Sequence, residues 1–331
     1  MAYFPSNQGY IGIGKQTVKG TAVAPQRFIK YLTDESAVTF EAETLREGCD
    51  GQWDKTSVKT IYTNTVSFSC YARPSESSNL YAALLGSDTK TITTTPFTHT
   101  IVPQEFQVTT IEQPWMTMNR QLISSTNSRT EVMKDIKLSS ISIEAEAGQP
   151  VQMSVEGTGL SSILTTSTST DTYESGNPFS FYNGTYTING SGSTDIKSFN
   201  IAIRAINDEE NQTTAITRND IINHRFECEV TLGINYTDYQ LMAKANYAAG
   251  TSMGADFSDG AAIIKLWTGT GTSERQLQFT IPKVRLQPIN LPLNAEVATL
   301  EQTMAGMAFK QDTTALVTIE SKIAIATTLP L

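Results

Sequence analysis

The stretch VSFSCYARPSESSNLYAALLG, residues 66–86, carries three structural signals in a row. Val66, Phe68 and Cys70 alternate with Ser67, Ser69 and Tyr71, the period of a strand with one face buried. A turn around Pro74 follows. The next residues read as a short helix with Ser75 as its capping oxygen, Glu76 in its first turn and Gly86 after its end. The stretch CEVTLGINYTDYQLMAKANYAAG, residues 228–250, repeats strand, turn, cap (Thr237), acid (Asp238), helix and glycine. A shift of 162 residues lays Cys228 on Val66, Val230 on Phe68 and Leu232 on Cys70, so inward positions stay inward. The order of features reads as an internal duplication.

Period-two alternation extends outward from both copies. In the first half it marks Val38, Phe40 and Ala42, then Ile141, Ile143 and Ala145, then Val151, Met153 and Val155. In the second it marks Phe199, Ile201 and Ile203, continues through Phe226 and Ile234, and closes with Val317, Ile319, Ile323 and Ile325. A strand precedes a long polar loop in each half, TLREGCDGQWDKTSVKT from Thr44 and AINDEENQTTAITRND from Ala205. Between the halves, GTGLSSILTTSTSTDTYESGNP (157–178) has the Ser, Thr and Gly content of a linker. The expected fold is mainly β: two tandem, internally duplicated β-sandwich or barrel domains, each with a short flanking α-helix. The expected boundaries are an N-terminal arm over 1–30, a first domain over 31–160, a linker over 161–178 and a second domain over 179–331.

Composition narrows the function classes. At 331 residues the chain can build two cores, and only 17% of it is charged, with Ser, Thr and Asn filling the gap. The net charge of −9 and the lack of Lys/Arg runs speak against a nucleic-acid-gripping surface. Three widely spaced cysteines (Cys49, Cys70, Cys228) make neither a metal pattern nor a disulfide framework, and Cys70 and Cys228 fall on inward strand positions. No apolar run approaches the ~18 residues of a membrane helix. The N-terminus lacks signal-peptide regions, so synthesis in a reducing cytoplasm is expected and the Asn-x-Ser/Thr sequons carry little weight. GYIGIGKQTVKGTAVAP (9–25) imitates a phosphate-binding loop, but Gln16 replaces the required hydroxyl and no strand–loop–helix context surrounds it. We read it as a glycine-punctuated arm.

Taken in order, these segments resemble the tail tube proteins of long-tailed bacteriophages. GIGKQTVKGTAVAP from Gly12 is similar to the arm that opens many of them, and residues 65–86 to their strand-plus-helix segment. DIKLSSISIEAEAGQPVQMSVEGTG from Asp135 resembles their strand pair around a glycine turn, and NPFSFYNGTYTING from Asn177 the entry to their second half. The resemblance covers most of the chain outside residues 89–123. It implies a non-enzymatic structural subunit that assembles with itself into rings, which stack into a hollow tube for the genome. A doubled chain implies a homotrimeric ring of pseudo-six-fold symmetry closing a barrel of roughly two dozen strands; a homohexamer is the alternative. It also implies a virion location, other tail proteins at the tube ends, DNA that passes without specific binding, and no membrane. No cofactor is expected.

Three carboxylate pairs stand opposite apolar strand faces: Glu41 and Glu43, Glu144 and Glu146, Glu227 and Glu229. As i, i+2 neighbours they point side by side rather than across a cleft, which does not suit acid/base catalysis. They are either a wetted outer face or the lining of a lumen. His99 and His224 stand apart, without a nucleophile nearby, and read as structural. No catalytic or metal set emerges. The two long loops are expected to reach the next ring, with Arg46, Asp50, Trp53 and Lys55 in one and Asp208, Glu209 and Glu210 in the other. The rival expectation is a carbohydrate- or surface-binding tandem β-sandwich of the adhesin or tail-fibre type, for which Trp115 is the one obvious aromatic platform.

Overall fold

The computed structural model describes the chain except residues 1–8, 46–55, 92–93, 105–112, 124–127, 168, 194, 209–219, 236–239, 248–258, 290–300, 312–313 and 331. It is mainly β. In chain order the elements are β1 (Tyr10–Lys15), β2 (Arg27–Ile29), β3 (Tyr31–Asp34), β4 (Ala37–Leu45), β5 (Thr56–Tyr71), α1 (Pro74–Leu85), β6 (Thr89–Lys90), β7 (Phe97–Ile101), β8 (Met116–Leu122), β9 (Arg129–Glu146) and β10 (Gln152–Thr165). The second half holds β11 (Gly184–Ile188), β12 (Ser191–Ser193), β13 (Ile196–Asp208), β14 (Ile222–Asn235), α2 (Gln240–Tyr247), β15 (Asp259–Thr268), β16 (Arg275–Leu286), β17 (Glu301–Ala308) and β18 (Thr318–Ile323).

One antiparallel sheet runs through both halves in the order β4–β5–β10–β9–β13–β14–β17–β16. β3 continues the β4 side of β5. The alternation read from the sequence sets its register. Cys70, Met153, Ile143, Ile201 and Val230 lie on its inner face, and each is fully buried. Burying such a side chain stabilises the fold by about 1.5–3 kcal/mol. The remaining strands cover that face. β1 and β8 join β9 in the first half; in the second, β11, β15, β16, β18 and β7 run side by side.

Two junctions therefore tie the halves together. β9 residues 140–146 pair with β13 residues 198–204, and β7 pairs along its length with β18. Helix α1 sits between them. It packs on β9 and β7 from its own half and on β16 and β18 from the other, with the Tyr81 and Phe279 rings edge to face at 5.3 Å. All twelve of its residues are buried, so it is not the flanking helix the sequence suggested.

Four further readings are corrected. The N-cap of α1 is Arg73, in extended conformation and without a side-chain cap bond, because Pro74 occupies the first helical position. The capping oxygens come from Glu174, which accepts from the Ser75 and Glu76 amides and from Ser75 Oγ. Gly86 does end the helix, at φ 80°. The segment expected as an arm contains β1 and β2, with Ile11, Ile13 and Ile29 buried. The glycines there are packing devices: a Cβ on Gly12 would stand 2.6 Å from Pro25 Cβ, and one on Gly14 2.8 Å from the Ala24 carbonyl oxygen. β10 continues to Thr165, so the first residues of the expected linker are strand. Likewise β4 reaches Leu45, β5 begins at Thr56 and β13 reaches Asp208, which shortens both long loops. Thr237 and Asp238 lie outside the described residues.

Candidate assembly surfaces

The continuous sheet has a second face. Cross-strand partners share a face, so register decides which side chains stand together. Starting from Glu144, the ladder runs to Gln152 on β10 and Tyr71 on β5, and the other way to Asn200 on β13 and Thr231 on β14. Following it two residues at a time adds Glu146, Ser142 and Ser140 on β9, Ser154 and Glu156 on β10, and Glu227 and Glu229 on β14. Ser69, Ser67, Thr65 and Thr63 extend the same face down β5, where Thr39 and Glu41 join from β4 and Glu43 follows two residues on. All three carboxylate pairs thus lie on one face of one sheet, spanning both halves. Short hydroxyl and amide side chains separate them.

Glu41, Glu43, Glu144, Glu146 and Glu156 are exposed, and none has a cation partner among the described residues. Glu144 accepts a hydrogen bond from Asn200 Nδ2 at 3.1 Å. Glu227 and Glu229 are half-buried and paired, with Arg225 at 2.7 Å and Arg204 at 3.4 Å respectively. The face is therefore wet, hydroxyl-rich and net negative.

The pairing of acids with buried apolar neighbours holds on β9 and β14 but not on β4. Phe40 and Ala42 were expected to point inward; both are exposed, Phe40 at 54%. Among the described residues β4 and the 56–63 part of β5 pair only with each other, so this hairpin outruns the core. Phe40, Leu45 and Val58 are exposed on it, and Lys59 Nζ stands 4.1 Å from the Phe40 ring centroid. Its tip, with Arg46, Asp50, Trp53 and Lys55, lies outside the described residues, as do Glu209 and Glu210. Asp208 is half-buried at the end of β13, 3.5 Å from His224 Nε2.

The remaining candidates are structural. His99 is buried, with Nδ1 bonded to Asp88 at 2.8 Å and Nε2 to the Ile325 carbonyl at 2.9 Å. Burial opposes its protonation, but these two acceptors prevail and raise its pKa. Cys70 and Cys228 are buried, and burial pushes each thiol up to about 12, where it is inert. Cys49 lies outside the described residues. Trp115 is no platform: it is 8% exposed, packed with Leu160 and Ile221, and Lys137 Nζ lies 4.0 Å from its ring centroid. Among the described residues no group of His, Cys, Asp and Glu is placed to hold a metal, and no helix is long and apolar enough to cross a membrane.

The sequence could not show that β7 joins β18 or that Glu174 caps α1, because each contact spans a long stretch of chain. A protein-family model described as phage tail tube protein matches residues 6–308. No curated protein matches the chain.

Proposed function

The chain belongs to the phage tail tube protein family, and from that premise we propose that copies close into rings whose bore is the acidic sheet face. Its coarse role, a structural component of the virion tail, follows from the family itself. The finer reading rests on one observation: seven carboxylates from both halves stand on a single face of a sheet that crosses the whole chain. One end of that sheet, the outer edge of β3–β4, lacks a further strand among the described residues, whereas at the other end β16 continues into β15. Open edges invite pairing, and a closed barrel removes them.

Each chain contributes eight strands to the wall, so three copies supply about two dozen, the number expected for a six-fold-like barrel. The repeated pattern supports a duplicated ancestry, since Cys70 pairs with Met153 as Leu232 pairs with Met304. Stacking of rings falls to the β4–β5 hairpin and the loop after Asp208. Assembly in the host cytoplasm and contacts with other tail proteins at the tube ends complete the reading.

In a net-negative, hydroxyl-lined bore whose Arg204 and Arg225 are engaged by Glu229 and Glu227, phosphates find little to displace their counterions, so DNA slides without adhering. Replacing Glu41, Glu43, Glu144 and Glu146 by Gln should leave tube length and diameter unchanged while slowing genome ejection. Ejection at the wild-type rate from such tubes would remove the lumenal role of this face.

A further inference from the structure

At Lys30 the chain changes partners. β2 pairs with β1 in the register Ile11 opposite Ile29, Gly12 opposite Phe28 and Ile13 opposite Arg27, whereas β3 pairs with β5. The side of β3 away from β5 has no strand among the described residues. A groove of about 540 Å3 lies along that side, with Gly9, Leu32, Asp34, Arg120, Leu122 and Tyr173 among its walls.

Gly9 is both a wall of this groove and the residue just before β1. Counting upstream in the β1–β2 register brings Gly9 opposite Tyr31, and Gln8, Asn7 and Ser6 then fall beside Leu32, Thr33 and Asp34. A bulge between Tyr31 and Thr33 shifts β3 by one residue against β5. Absorbed on the outer side as well, it sets Gln8 beside Thr33. In both counts the segment before Gly9 approaches β3 in the antiparallel sense, which is how β1 meets β2.

Residues 1–8 lie outside the described residues. We propose that residues 2–8 occupy the groove of their own chain as an added strand, so that an unassembled subunit covers the edge a neighbouring copy needs. This rests on the ring reading above and makes the segment a guard of that edge, displaced when the ring closes. Bare edges invite association, and strand addition draws its affinity from main-chain hydrogen bonds.

Three observations commit the groove to this occupant. The first is where its proline falls. Pro5 has no N–H to give a ladder, and the two counts place it beside Glu35 or Ser36. The Glu35 amide donates inward to the Ser67 carbonyl of β5 at 2.8 Å. The Ser36 amide donates to Asp34 Oδ1 at 3.1 Å, and its carbonyl accepts from Arg120 Nη1 at 2.6 Å. The edge is thus already satisfied where Pro5 would lie. It lacks a strand over Leu32 to Asp34, where residues with an N–H would pair.

The second is charge. Asp34 pairs with Arg120 at 2.6 Å, and Lys30 Nζ stands 5.5 Å from the Tyr173 ring centroid, so the ions of the groove are already engaged. Residues 1–8, MAYFPSNQ, carry no charged side chain and ask for no further ion. The third is apolar surface. Leu32 and Leu122 on the groove walls are 40% and 43% exposed, and Tyr3 and Phe4 supply the bulk to cover them.

The test is disulfide formation in dilute, unassembled full chain carrying Cys49→Ser, Thr33→Cys and either Asn7→Cys or Gln8→Cys. Directly opposed residues have Cα atoms about 4.5–5.5 Å apart, within disulfide reach. Mild oxidation should close an internal cross-link in at least one of the two variants, read by peptide mass spectrometry. The control Ala2→Cys with Thr33→Cys, about 16–20 Å off register, should give at least tenfold less. The cross-linked subunit should polymerise at least tenfold more slowly than wild type and recover on reduction. No internal cross-link, equal cross-linking in the control, or a covalent dimer in its place overturns the guard and leaves the ring reading standing. So does cross-linked protein that assembles at the wild-type rate. Wild-type protein that forms no ring under the microscope overturns the ring reading, and the cross-link still decides whether the strand is there. If the cysteine variants misfold, deletion of residues 2–8 replaces them. It should speed hydrogen exchange at the Leu32 and Asp34 amides and shorten the lag of assembly, and unchanged values overturn the guard.

Discussion

Glu76 is 2% exposed at the start of α1, and burial is the main force on its carboxyl. Arg73, 3.9 Å away, opposes that force and Glu174 adds to it, leaving the pKa pushed up to about 8 from 4.5. The folded protein therefore keeps a proton that the unfolded chain releases near 4.5, so this residue's contribution to stability is full below 4.5 and is lost as pH rises through 8. His99 acts in the same direction, its contribution fading above 6.5 as pH passes through its raised folded pKa. Wild-type melting temperature should accordingly fall between pH 5 and pH 8, and Glu76→Gln should flatten that fall by keeping the site neutral. Thermal scans of both proteins across this range check it; an unchanged slope in Glu76→Gln would show that Glu76 is not the titrating group. At this scale the sequence was legible where the cause is local. Gly86 ends the helix because only a few residues decide that turn, and Cys70 and Cys228 are inward because their neighbours alternate. The cap was misread because its oxygens come from Glu174, about a hundred residues away in sequence.

Single strands disclose which residues share a side, but only pairing between strands decides whether those sides coincide. That is why the carboxylate pairs were visible as separate stripes and their union on one face was not. The β4–β5 hairpin shows the opposite failure. Its alternation promised a buried side, yet among the described residues the 56–63 part of β5 pairs with β4 alone, and Phe40 is exposed with only Lys59 shown over its ring. An exposed apolar hairpin that contributes little to the core is suited to contact another ring. Phe40→Ser combined with Val58→Ser should change monomer stability by no more than about 0.5 kcal/mol, as for surface positions, while abolishing tube growth in a polymerisation assay followed by light scattering. A large drop in melting temperature would instead assign this hairpin to the monomer's own core.

Across the whole molecule, the two halves are locked by two sheet junctions and a shared helix. Nothing local announces such junctions: β7 and β18 lie more than two hundred residues apart, and each is an ordinary short strand in sequence. Their consequence is a continuous wall with one wet acidic face and one packed apolar face, open among the described residues along the outer edge of β3–β4. Under the proposed ring reading further copies close this wall, and closure puts one of its faces on the inside. Cryo-electron microscopy of tubes assembled from purified protein decides which. The account predicts three chains per ring with Glu144, Glu146, Glu227 and Glu229 facing the bore. A reconstruction that placed these carboxylates on the outer wall would contradict it.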